Sequence, residues 1–163
     1  MASSAEGFVK IVANLPEDEE VDSESFWAKP LGDDLYELNN VPFRAYDLHP
    51  YDVVRAVSPR PDRIPEIIEV VRRSGHKTLR VLMEEATPAD EVRRLLETLN
   101  AMKASYERGS RRFYAFDVEP EADYQAVCDQ LWQWEQEGLL QYETGMTEDA
   151  DSDNTSGDDS SGI

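Results

Sequence analysis

The string SGHKTLRVLM at residues 74–83 lies near the middle of the chain, and the sequence changes character on either side of it. Ahead of it, short apolar runs alternate with turn residues, which is the pattern of a small all-β unit. After it, the pattern becomes β-α-β-β-α-β. We therefore predict that residues 79–83 form the first and central strand of a second unit, and that Ser74 and Gly75 join the two units.

The first half of the chain predicts a small barrel of five short strands. Gly32-Asp33-Asp34 marks a hairpin turn. The last strand is ambiguous, because its isoleucines and valines also fit a helical stripe; we favour a strand, since β-branched side chains pack well on a pleated sheet. The predicted strands, typical of an SH3-like barrel, cover residues 8–13, 24–31, 35–38, 52–57 and 64–73.

The second half predicts two helices on one face of a four-stranded antiparallel sheet. Thr87 before Pro88 is typical of a helix start with Thr87 as N-cap, and Pro120 predicts the start of the second helix. This order of elements is the ferredoxin-like plan. We therefore predict a small β-barrel-like unit at 8–76, a ferredoxin-like α+β unit at 77–145 and a disordered acidic tail at 146–163.

Charge limits the partners that the protein can bind. The chain has a net charge of −19, and residues 146–163 contribute six acids without a base. Such a surface opposes nucleic acid and anionic membranes but permits a basic protein partner. The acidic run at 17–24 predicts a solvated loop. No apolar run has the length of a membrane span or follows a basic leader, so we expect a cytoplasmic protein.

The sequence contains no motif for catalysis, metal binding or nucleotide binding. Cys128 is the single cysteine, and neither His49 nor His76 has a Cys or a close carboxylate at ligand spacing. No Gly-x-Ser-x-Gly elbow and no glycine-rich phosphate loop occurs. We therefore predict no metal, no cofactor and no catalytic residue; the sequence favours a protein without catalytic activity but leaves an enzyme open.

Two aromatic residues are candidates for an exposed contact. Phe113 falls where RNA recognition motifs place a stacking aromatic, but Ala115 takes the second such position and residues 79–83 offer none. We therefore expect Phe113 to pack against the barrel unit or against another subunit, and we predict no nucleic-acid binding. Trp132 falls at the edge of its helix stripe, where it either anchors a partner or fills space beside the sheet.

Four strings carry a resemblance to a known family. They are NNVPF at 39–43, DVV at 52–54, SGHKTLRV at 74–81 and EQEGLLQYE at 135–143. With these strings the chain resembles, over residues 8–145, a bacterial domain-of-unknown-function family, number four-two-six-five. The resemblance implies a two-part bacterial cytoplasmic domain. It implies no settled activity and no established catalytic residues.

Two functions follow from these observations. The first is a non-catalytic protein-binding or regulatory module, and one version of it is an immunity-type protein whose acidic surface neutralises a basic toxin. The alternative is an enzyme or small-ligand sensor with a pocket between the two units, lined by Phe43, Asp52, His76 and Arg80. A hydrogen-bonded joint between the units explains His76 and Arg80 equally well.

Overall fold

The computed structural model describes residues 7–17 and 20–147, and within them it contains a closed five-stranded barrel, a four-stranded sheet and two helices. The mixed α+β class that the sequence predicts is therefore confirmed. The predicted disorder of the acidic tail falls outside the described residues, which end at Thr147.

The first five strands build the barrel. Each strand pairs with the next in antiparallel fashion, and β5 closes the barrel by pairing in parallel with β1 at Val12 and Glu66. Side chains such as Ile11, Phe26 and Leu38 point inward from alternate positions and fill the interior. The strands are β1 Val9–Asn14, β2 Ser23–Gly32, β3 Leu35–Leu38, β4 Val53–Val57 and β5 Glu66–Arg72.

The interpretation of residues 64–73 as a strand is confirmed, because most of them form β5. Ile67 and Val70 both pack against the barrel interior although they are three residues apart. A register shift in the β4–β5 pairing allows this, since it skips Ile68, which remains 60% exposed. The apolar residues that resemble a helical stripe therefore lie on both faces of one bulged strand.

The remaining elements form the second sheet and its helices. The strand order is β7-β8-β6-β9 with antiparallel neighbours, so β6 is central, as residues 79–83 predict. The helices pack on one face of this sheet, where Leu95, Leu131 and Trp134 join its core. The elements are β6 Lys77–Met83, α1 Ala89–Ala101, β7 Ala104–Arg108, β8 Phe113–Val118, α2 Tyr124–Gln136 and β9 Leu140–Thr144.

The predicted helix starts differ from the observed ones by one residue for α1 and by four residues for α2. Pro88 occupies the cap position of α1 without a side-chain cap, because the Thr87 hydroxyl donates instead to the Leu139 carbonyl at 2.8 Å. The second helix begins at Tyr124 rather than Pro120, because the Asp123 carboxylate accepts the Ala126 N–H at 3.0 Å and caps it there.

Strand β6 separates two chemically different faces of the second sheet. Leu79, Val81 and Met83 face the helices, whereas Thr78 and Arg80 face the barrel side and are also buried. The segment that covers them is residues 39–52, which connects β3 to β4 and which we call the connecting loop. No helix among the described residues has the length and apolarity that crossing a membrane requires.

Candidate functional site

Arg80 holds the connecting loop onto the second sheet. Its side chain is 1% exposed, the largest among the fully buried side chains. Nη1 donates to the carbonyls of Pro42 and Ala45 at 3.1 and 3.0 Å, and Nε donates to the Glu143 carboxylate at 2.8 Å. The guanidinium carbon lies 4.7 Å from the centroid of the Tyr46 ring. Arg80 therefore fixes loop backbone and loses access to solvent.

Asp52 makes a second clamp at the end of the connecting loop. Its carboxylate is fully buried and accepts the backbone N–H groups of His49 and Ser74 at 3.0 and 2.9 Å. Arg73 completes it by donating from Nη1 at 3.0 Å. Asp52 thus connects the barrel side to the joint at Ser74, and each of its carboxylate oxygens accepts at least one hydrogen bond.

His49 is buried beneath the same loop. Its Nδ1 accepts the Thr78 N–H at 3.2 Å and lies 3.0 Å from the Thr78 hydroxyl. An accepting Nδ1 places the ring proton on Nε2 and keeps the imidazole neutral. Burial lowers the pKa of His49 to about 4, with Asp52 opposing and Arg73 reinforcing the shift. His49 is therefore a neutral structural side chain at neutral pH.

Glu24 corrects one expectation from the sequence. Glu24 lies in β2, as the predicted strand 24–31 requires, but it is partly buried rather than solvated as the acidic run at 17–24 predicts. Its carboxylate accepts the N–H groups of Phe43, Arg44 and Ala45 at 2.7, 2.9 and 2.8 Å. The connecting loop is thus held from the barrel by Glu24 and from the sheet by Arg80.

Phe113 packs beneath the connecting loop, on the barrel side of its sheet. The ring centroids of Phe113 and Phe43 are 5.7 Å apart, and both residues are half-buried. Ala115, the next residue on that side, is fully buried. Gly109 gives the pair room, since a Cβ there would lie 2.8 Å from the Phe43 ring. The aromatic pair is thus part of the contact between the barrel side and the second sheet.

His76, Asp117 and Tyr51 meet at the partly exposed margin of this contact. His76 Nδ1 lies 2.6 Å from Asp117 Oδ1, and the His76 ring centroid lies 4.7 Å from that of Tyr51. Burial raises the pKa of Asp117, although the hydrogen bond with His76 opposes that rise. Tyr51 is 42% exposed and takes a left-handed backbone with φ of +68°, which is uncommon for a bulky residue.

Carboxylates concentrate around Tyr51. Partial burial raises the pKa of the Tyr51 hydroxyl, and four negative charges raise it further, those of Asp117, Glu37, Glu107 and Glu119. Within residues 7–17 and 20–147, none of these three glutamates forms an ion pair with Lys or Arg. We call this group of six residues the Tyr51 face: Glu37, Tyr51, His76, Glu107, Asp117 and Glu119.

A cavity of about 620 Å³ lies between the barrel and the edge strand β7. Its lining includes four aromatic residues, two cations and two carboxylates: Phe26, Trp27, Phe43, Tyr106, Lys10, Arg108, Glu24 and Glu107. The Lys10 Nζ lies 5.2 Å from the Trp27 ring centroid. Of the four residues that the sequence predicts around a pocket between the units, Phe43 lines this cavity, whereas Asp52, His76 and Arg80 do not.

The structure thus brings most of the predicted site residues to one contact. Asp52 and Arg80 lie inside it, Phe43 and Phe113 pack together in it, and His76 lies at its margin. Trp132 lies elsewhere, on the surface of α2, and is 56% exposed. Tyr51 and Glu24 were not among the site residues that the sequence predicts. Tyr51 directly follows the Pro50 turn and precedes Asp52, and that position is the signal that could have found it.

The fold and this contact define a class of protein: a closed β-barrel joined by its connecting loop to a helix-covered antiparallel sheet. The model of the family described as "Domain of unknown function (DUF4265)" matches residues 24–142. The chain therefore belongs to that family, as its strings at 39–43 and 74–81 indicate. No curated protein matches the chain.

A solved structure has a similar fold. It is titled "Novel crystal structure of a hypothetical protein from Neisseria gonorrhoeae", and it superposes with a TM-score of 0.73. The two chains are 16% identical, and the match covers 85% of this chain and 94% of the other. At that identity the likeness shows a shared fold.

Proposed function

We propose that the protein is a non-catalytic binding module that receives a basic side chain of a protein partner at the Tyr51 face. The observation that carries the proposal is an exposed aromatic ring with an uncommon left-handed backbone, whose hydroxyl pKa is raised by four negative charges. Among the described residues, three of those four carboxylates form no ion pair with Lys or Arg. A guanidinium or ammonium group can lie over the Tyr51 ring while the carboxylates of Glu107 and Glu119 approach its edge.

The energies set the scale of this contact. A cation over an exposed aromatic ring contributes about 0.5–1 kcal/mol, and each exposed ion pair contributes about 0–1 kcal/mol. One basic side chain therefore gains about 2 kcal/mol, roughly a thirtyfold change in affinity. Tight binding needs a partner that adds further contacts, and the net charge of −19 favours a basic one through faster, salt-sensitive association. An immunity-type protein that binds a basic toxin is one version of this proposal.

The remaining expectations belong to the same proposal. We place the protein in the cytoplasm and divide it into units at 8–76 and 77–145. The order β-α-β-β-α-β with strands arranged β7-β8-β6-β9 supports a ferredoxin-like second unit, and five strands closed into a barrel support an SH3-like first unit.

A second candidate function is small-ligand binding in the cavity between the barrel and β7. Its volume of about 620 Å³ falls in the range of small-ligand sites. Its aromatic rings suit a flat molecule, and its two cations and two carboxylates, Lys10, Arg108, Glu24 and Glu107, suit one that carries polar groups of both kinds. The Tyr51 face and this cavity share Glu107, so the two candidates need separate probes.

The test uses the full-length protein and a pentapeptide with one arginine among glycines. The control peptide carries citrulline, which has nearly the shape of arginine without its charge. Binding is followed by NMR at the backbone amides of Tyr51, His76 and Glu119. We expect the arginine peptide to shift these amides at low salt, and the citrulline peptide to leave them unchanged.

Two single-charge variants make the test specific to the site. Glu119→Gln is expected to weaken binding of the arginine peptide several-fold, whereas Glu97→Gln, an exposed position on α1, leaves it unchanged. Equal shifts with both peptides, or equal losses in both variants, would show that the Tyr51 face is not a cation site. Shifts at Trp27 and Tyr106 instead would favour the second candidate.

A further inference from the structure

A second concave site lies on the opposite face of the second sheet, between the start of α1 and the hairpin that joins β7 to β8. It is a cavity of about 350 Å³ whose floor includes Val92, Leu96 and Tyr114. Four arginines also line it: Arg93, Arg108, Arg111 and Arg112. We call this site the arginine groove.

The charge of the arginine groove is opposite to that of the rest of the protein. The chain has 16 Lys and Arg residues against 35 acids, yet four of those 16 cations line this one cavity. Among residues 7–17 and 20–147, Glu84 is the one acid in its lining. None of the four arginines has a carboxylate within ion-pair distance in the described part of the chain. Like charges at one cavity repel each other, so the arrangement favours an anion that neutralises them.

Hydrogen bonds hold two of the arginines in place. Arg112 Nη1 donates to the Met83 carbonyl at 2.7 Å, and Arg108 Nη2 donates to the Arg111 carbonyl at 2.8 Å. The Arg108 guanidinium carbon also lies 5.8 Å from the Tyr114 ring centroid. These contacts are with neutral groups, so they orient the guanidinium groups without cancelling their charge. An anion would thus meet donors that are already positioned.

We propose that the arginine groove binds a small organic anion, in which a phosphate or carboxylate group meets the arginines and a compact apolar body contacts the floor. The planar fork of arginine matches both anionic groups through paired hydrogen bonds. A volume near the lower limit of small-ligand sites selects a small molecule. The net charge of −19 opposes the long polyanions of nucleic acid. This proposal is independent of the Tyr51 face.

The test titrates the full-length protein with phenyl phosphate, and in parallel with benzoate, at constant ionic strength. Phenol lacks the anion and inorganic phosphate lacks the apolar body, so the two serve as controls. We expect phenyl phosphate or benzoate to bind at least tenfold more tightly than either control, and to shift the amide signals of Val92 and Tyr114. The stronger of the two anions identifies which headgroup the site prefers.

A matched pair of double variants assigns the binding to the groove. Arg93→Gln with Arg111→Gln removes two charges from the rim, where neither side chain has a hydrogen bond to the described part of the chain. Arg94→Gln with Arg60→Gln removes two charges elsewhere and leaves the rim intact. We expect the rim pair to weaken binding about tenfold or more for each arginine. We expect the control pair to change it less than twofold.

Three results would overturn the proposal. The first is binding of phenyl phosphate and benzoate no tighter than that of phenol and inorganic phosphate. The second is an equal loss in the two double variants. The third is binding that develops only after the six acids at 148–163 are changed to amides, because it would show that the acidic segment of the chain occupies the groove.

Discussion

Replacement of Asp52 by Asn tests whether the contact between the barrel and the second sheet depends on a buried carboxylate. Asn keeps the size and shape of Asp and replaces one acceptor oxygen with an NH₂ donor. If the remaining oxygen keeps its bonds from His49 and Arg73, the new NH₂ group faces the N–H of Ser74. Two donors then oppose each other at a side chain that is itself fully buried.

The size of the effect follows from these contacts. Asp52 is fully buried, so the Ser74 N–H and one amide hydrogen lose a partner, at about 1–3 kcal/mol each. The ion pair with Arg73 adds little, because the Arg73 side chain is 53% exposed and water screens it. We therefore expect Asp52→Asn to lower the free energy of unfolding by about 3 kcal/mol. For a chain of this size the melting temperature would fall by about 6–12 °C.

Urea unfolding, followed by tryptophan fluorescence, measures this change through the transition midpoint at constant slope. Asp62→Asn is the matched control, since its carboxylate is 78% exposed and pairs with an exposed arginine. We expect that control to change the free energy of unfolding by less than about 0.5 kcal/mol. If Asp52→Asn costs no more than Asp62→Asn, the carboxylate does not hold the joint, and a ligand-binding role for Asp52 becomes the better interpretation.

Three further predictions concern the connecting loop. The pKa of His49 falls from 6.5 to about 4 on folding, so the unfolded state binds more protons between these pH values and stability falls as pH falls. At pH 5 the loss of stability is about 2 kcal/mol. Urea unfolding at pH 7 and pH 5 measures this loss, and we expect His49→Asn to abolish it. Glu24→Gln leaves one of three loop N–H groups facing a donor, and we expect it to lower the free energy of unfolding in urea by about 1–3 kcal/mol. The control Glu20→Gln should leave stability unchanged, and equal losses in the two variants would show that Glu24 does not hold the connecting loop. Gly145→Ala would place a Cβ 2.8 Å from the Thr78 Cβ, and we expect thermal unfolding to show a stability lower by about 1–3 kcal/mol. An unchanged melting temperature would show that the backbone around Gly145 adjusts without cost.

Hydrophobic periodicity and turn residues were sufficient to predict a small barrel followed by a second sheet with two helices. Strand β3 has the bounds that the sequence predicts, and the ambiguous stretch at 64–73 is a strand because β-branched side chains suit a pleat. The errors fall at helix starts, where one hydrogen bond decides the boundary. The Thr87 hydroxyl donates a hydrogen bond to Leu139, 52 positions away, and the local sequence pattern gives no indication of that contact.

The contact between the two halves was less predictable, because long-range pairing of polar groups decides it. The sequence marks Asp52, His76 and Arg80 as candidates, and the structure brings them near one another, but two of them are buried and bound internally. Their partners come from 21 and 63 residues away along the chain. Hydrophobic patterns do not indicate which carboxylate pairs with which arginine, so the roles of these residues could be identified only from the three-dimensional structure.

The buried charges explain how an irregular loop can hold the Tyr51 face in one conformation. Residues 39–52 contain no helix or strand, yet Glu24, Arg80 and Asp52 bind their backbone from three sides. Charge-assisted bonds in a buried setting are costly to break, because the charge left behind has no water to replace its partner. Tyr51 therefore stays in a left-handed conformation that an isolated loop would abandon. A weakened clamp should release that conformation before the barrel itself unfolds, and binding at the Tyr51 face should then decline at temperatures where both sheets are still intact.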